Sequence, residues 1–133
     1  MRYLERLLYD YKTNMAILEN LKFELKNLSS LHGQSYEISS CNFGVDPVAL
    51  RTVQVIAIES RIEKLGKITR PVKALSEHLK SDSRRHERLS QILENRYFKH
   101  KSWREVSNKL DLSERTLMRL NYDLIKLFRR FVE

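Results

Sequence analysis

The sequence predicts an all-α protein: an N-terminal helical arm, a central helical region and a C-terminal helix-turn-helix. Gly and Pro supply only Gly33, Gly44, Gly66, Pro47 and Pro71 among 133 residues, too few for the turns of a many-stranded β fold. Leu, Lys, Arg and Glu abound, and apolar residues recur at steps of three and four along several stretches. Apolar types make 41% and charged types 32% of the chain, the mixture of a globular protein of single-domain length rather than of a disordered or membrane one.

The arm comes first. From Tyr3 to Leu28 there is no Gly or Pro, and a heptad places Leu4, Tyr11, Leu18 and Leu25 at a, with Leu7, Asn14, Leu21 and Leu28 at d. Seven of these eight positions are apolar, and Asn14 is a residue that coiled coils bury to fix register. Two readings follow. The eight residues form an oligomerisation seam, for which a second copy of the chain (a homodimer) supplies the partner helix, or the helix packs on its own domain with Leu8 and Met15 widening the stripe.

Residues 29–46 gather five Ser, two Gly, an Asn and an Asp, and read as a flexible linker. Asp46 and Pro47 then supply an N-cap and a first-turn Pro for the central helical region, 47–82, which carries Leu50, Val53, Ile56, Ala57, Ile62 and Leu65. Gly66 and Pro71 predict a stop or kink near 66–71, after which Val72, Leu75 and Leu79 resume an apolar face. The polar, basic run from Lys80 to His86 marks a hinge.

The module at 83–133 reads as three helices with short connections. Leu89, Ile92, Leu93 and Tyr97 face inward on the first. Ser102 opens the second, in capping-box spacing with Glu105, and Val106 and Leu110 point into the corner. Asp111 and Leu112 turn the chain, Ser113 caps the third helix, and Leu117, Leu120, Leu124, Ile125 and Phe128 form its buried stripe. A short helix, a tight turn and a longer helix are the pattern whose second member enters the DNA major groove. Trp103, at a helix start, reads as a packing residue.

Charge points to the same region. The net charge is +8 with a pI near 9.7. Residues 1–47 hold 5 basic and 6 acidic side chains, whereas 48–133 hold 20 and 11, so the whole excess lies in the second part. Rotating 100° per residue from Leu117 sets Arg115, Arg119, Tyr122 and Lys126 opposite the apolar stripe, with Glu114 and Met118 beside them. Glu114, Arg115, Met118, Arg119 and Tyr122 are therefore the expected base contacts: Arg holds guanine O6 and N7 through two hydrogen bonds, and Glu accepts from cytosine N4. Lys99, Lys101, Arg104 and Lys126, with the helix starts at Ser102 and Ser113, lie where phosphates would pass.

The run from Arg96 to Leu120 resembles region four of bacterial sigma factors, the module that binds promoter −35 elements. The resemblance rests on a helix ending in Arg96-Tyr97-Phe98, an aromatic-started second helix at Trp103, Leu110-Asp111-Leu112-Ser113 at the turn and Arg115-Thr116-Leu117 opening the third helix. It covers about the last 45 residues. In layout the chain is similar to small phage transcriptional activators of the RinA and ArpU type. That resemblance implies a phage or prophage late-gene activator that binds double-stranded DNA and contacts host RNA polymerase, in the cytoplasm of a bacterial host. Phage small terminase subunits also join helix-turn-helix modules to helical oligomerisation arms, which leaves DNA packaging as an alternative. A third is an adaptor that binds polymerase without reading DNA.

Other chemistry has little purchase. No Gly-rich phosphate loop, metal-ligand spacing or nucleophile motif argues for an enzyme, a metal or a cofactor. Cys41 has no second Cys, and His32, His78, His86 and His100 read as surface or capping residues. No signal-peptide pattern opens the chain, and no apolar run approaches the roughly 18 residues that span a bilayer.

Overall fold

The structure is a computed structural model that describes residues 2–30 and 47–132. Among the described residues it holds six α-helices, one π-helical turn and no strand, an all-α fold. The helices are α1 (Tyr3–Tyr9), α2 (Tyr11–Ser30), α3 (Pro47–Ser81), α4 (Ser83–Ile92), α5 (Trp103–Leu110) and α6 (Glu114–Val132), with the π turn Leu93–Phe98 continuing α4. Most of the 29–46 linker, with Cys41, His32 and the Asp46 cap, lies outside the described residues. Ser29 and Ser30 extend α2.

Asp10 separates α1 from α2 without breaking the ladder: its N–H donates to Arg6 O at 2.9 Å and its carbonyl accepts from Asn14 N at 2.8 Å. α3 begins at Pro47, the first-turn position that costs no hydrogen bond. It runs unbroken through Gly66 and Pro71, where the sequence predicts a stop or kink. An interior Pro costs about 3 kcal/mol. Val72, Leu75 and Leu79 just beyond it are 0–1% exposed, and each fully buried side chain of this kind contributes about 1.5–3 kcal/mol. That burial outweighs the Pro, so the helix continues. The chain breaks instead at Asp82, whose carboxylate accepts from Arg85 N at 3.4 Å to start α4 inside the expected hinge.

The chain forms two compact units, residues 1–14 with 67–133 and residues 15–66. In the first, α1 packs on the π turn and α6, α4 on α6, and α5 on α6 and the π turn. Leu8, Val72, Leu75, Ile92, Val106, Leu117, Leu124 and Phe128 are fully buried there, and Tyr97 is 1% exposed. In the second unit, Leu18 and Leu21 of α2 are buried.

The heptad seam is thus covered largely within one chain: Leu7, Tyr11, Leu18 and Leu21 are buried, and Leu4, Asn14, Leu25 and Leu28 are half-buried. Among the described residues no helix is long and apolar enough to cross a membrane.

Candidate nucleic-acid interface

The segment Arg96-Tyr97-Phe98 closes the π turn, and each side chain has its own partner. Arg96 lays its guanidinium over Tyr9 and Trp103, 5.6 and 5.0 Å from the ring centres, and donates through Nη1 to Lys101 O at 3.0 Å. Tyr97 meets Trp103 edge to face at 6.3 Å and donates its hydroxyl to Asn121 Oδ1 on α6. Burial pushes the Tyr97 phenol well above its ordinary value, the Glu5 carboxylate adds to this, and Arg96 and the Asn121 bond oppose it. Phe98 stacks on Tyr11, with centres 5.2 Å apart. Trp103 is half-buried in this cluster, as its packing role requires.

His100 follows in the left-handed region, φ 58°, where a residue with a Cβ is strained. Its ring stacks on Tyr9 at 3.9 Å and 8°, and its Nε2 lies 2.6 Å from Tyr9 O. These contacts hold the strained residue and tie α1 to the connection that leads into α5.

α5 and α6 form the corner. Ser102 caps α5 by accepting from Glu105 N at 3.2 Å, one half of the expected capping box. Asp111 ends α5 in the left-handed conformation, φ 55°, a C-cap role that short polar side chains tolerate. Leu112 N donates to Ser107 O at 3.2 Å, and the Ser107 hydroxyl donates to Leu112 O. Ser113 then caps α6, accepting from Thr116 N at 3.2 Å. Val106 and Leu117 close the corner, each fully buried, while Leu110 is half-buried.

With Leu117, Leu124 and Phe128 buried, the opposite face of α6 is outward. Glu114, Arg115 and Arg119 are exposed, as are Met118 and Tyr122, the last at 69%. The expected phosphate residues Lys99, Ser102, Arg104, Ser113 and Lys126 are also exposed, and Lys101 is half-buried.

Two features escape a reading of the sequence. Lys109, in the last turn of α5, lies within hydrogen-bonding reach of Lys101 and near Lys99, and these two ammonium groups hold its own below the usual lysine value. Three crowded cations on an open surface are chemically suited to a phosphate. No sequence signal marks Lys109, because it is eight residues from Lys101. Second, α1 and α6 enclose a groove of about 660 Å³ in which Arg2, Tyr3 and Leu4 face Met118, Tyr122 and Lys126. The heptad assigns Leu4 to a seam, and only the tertiary packing brings it beside α6.

Among the described residues no group of three or more His, Cys, Asp or Glu is placed to hold a metal ion. No protein-family model, curated protein or solved structure matches the chain.

Proposed function

We propose that the chain binds double-stranded DNA sequence-specifically and thereby regulates transcription, with α5 and α6 acting as a helix-turn-helix. The observation that carries this reading is the outward face of α6, where Arg115 and Arg119 stand exposed on the first two turns of a doubly capped corner. The unit that contains it holds 20 basic and 11 acidic side chains, net +9. In this reading Arg115 and Arg119 hold guanine edges, Glu114 and Met118 tune the neighbouring positions, and Tyr122 contacts the far end of the site. Lys99, Lys101, Lys109, Arg104 and Lys126 neutralise phosphates, and the capped helix starts at Ser102 and Ser113 present backbone amides to them. Host RNA polymerase as a second partner, and a phage or prophage setting, follow from the resemblance to sigma region four and small phage activators.

Selection of duplex DNA from a random pool by the purified chain tests this, at about physiological salt so that non-specific binding, on the order of 10⁻⁴ to 10⁻⁶ M, does not dominate. A reproducible motif is expected, and Arg119→Ala should cost about 1–3 kcal/mol and relax preference at one base pair. No enrichment over random duplex would sink the reading. A motif placed at a packaging site instead of a promoter would keep the DNA contact and replace the regulatory role.

A further inference from the structure

The outer face of α3 in the 15–66 unit has no role in the DNA reading. Arg51, Val55, Ile58, Ile62 and Leu65, spaced at four and three, are half-buried and form the inner face. Opposite them, Leu50, Val53 and Ile56 are 42%, 62% and 59% exposed. Arg51 is the only charge between Pro47 and Ile58. A helix that is apolar all round belongs in a place where every side is covered. Here one side is open, and Phe23 of α2 is a further exposed ring in the same unit.

Beside this ridge lies a groove of about 480 Å³ between α2 and α3, lined by Leu28, Ala57 and Ile58 with Glu24 and Gln54 among its walls. Ala57 borders both ridge and groove. A surface that carries a ridge next to a groove is self-complementary under a twofold axis, because each copy's ridge meets the other's groove. We propose that this surface docks a second copy of the chain, with Val53 and Ile56 of each copy seated in the partner's groove, to give a four-helix dimer core.

Charge selects this occupant. The 15–66 segment carries 5 basic and 6 acidic side chains, net −1, and the ridge itself carries none, so two copies meet there without repulsion. A strongly charged partner finds no ionic counterpart on the ridge. Exposed apolar patches of several hundred Å² on soluble chains mark association surfaces, and bundles of four helices bury what two cannot. The inference does not depend on DNA binding, although a twofold pair would suit paired half-sites.

Sedimentation velocity of the full chain between about 1 and 100 µM tests the proposal, and a dimer is expected within that range. Val53→Glu with Ile56→Glu should keep the helical circular dichroism and raise the dissociation constant at least about 100-fold. Val53→Glu and Val53→Lys chains should each be monomeric alone and dimerise when mixed, which misfolded chains would not do. A wild-type monomer at the highest concentration, a ring of many copies, a double variant that dimerises like wild type, or folded charge variants that fail to pair on mixing would each overturn it.

Discussion

In the unit made of residues 1–14 and 67–133, six helical segments surround a core in which eight apolar side chains are fully buried. In the 15–66 unit, parts of two helices leave Phe23, Val53 and Ile56 about 60% exposed. The apolar content of the two stretches is similar in kind, and what differs is the number of layers available to cover it. A two-helix layer has one interior face per helix, so apolar residues on any other face stay outside. Charge divides along the same line, net +9 against −1. One unit is suited to a polyanion and closes on itself, while the other is neutral and open.

The largest expected effect separates the two kinds of apolar residue. Phe128→Ala should cost about 3–5 kcal/mol in urea unfolding of the first unit, because it empties a fully buried ring site. Val53→Ala, measured where the chain is monomeric, should stay within about 0.5 kcal/mol. Equal costs would erase the contrast. Leu8→Ala comes next: its side chain is fully buried, and about 2–5 kcal/mol should be lost from the unit that also contains α6. If unfolding of α4 to α6 were unmoved, residues 3–9 would be an independent arm after all.

Smaller changes sharpen the chemistry of the basic unit. Tyr97→Phe should cost about 1 kcal/mol at neutral pH through the lost bond to Asn121. Its sign at high pH is opposite. The folded phenol titrates above its unfolded value near 10, so the unfolded chain ionises first and the stability present below pH 10 falls as pH rises past it. Tyr97→Phe should lessen that fall, and an unchanged slope of stability against pH would remove Tyr97 as its source. Lys109→Ala should leave stability unaltered and lower the salt slope of DNA binding by about one counterion. An unaltered slope would exclude Lys109 from the phosphate path.

Local chemistry was legible in the sequence, and long-range chemistry was not. The Ser102 and Ser113 caps, the turn at Asp111 and the start at Pro47 each depend on residues within four positions, and the periodicity of α6 separates its buried Leu117, Leu124 and Phe128 from its exposed Arg115 and Arg119. Pro71 misleads because a local rule predicts a break, whereas the burial of Val72 and Leu75 is a tertiary term that no window of sequence contains. The heptad of residues 4–28 is real as a pattern. A pattern of a and d positions states that a face is covered and leaves open by what. The Tyr9 contact with His100 spans 91 positions, and nothing short of the fold announces it.

A π turn holds one residue more than the α turn it replaces, and Lys99 N accordingly reaches back five positions to Glu94 O at 2.9 Å. Between Leu93 and Phe98 the chain therefore carries a spare residue that the backbone does not need in order to stay helical. Deleting one there would let ordinary helix geometry take over with little local damage, yet it would turn everything beyond by about 100° relative to α4. Tyr97 would swing away from Asn121 and Phe98 from Tyr11. This short stretch sets the phase between the two halves of the basic unit, so a change of length there acts as a rotation, while a change of side chain acts only as a substitution.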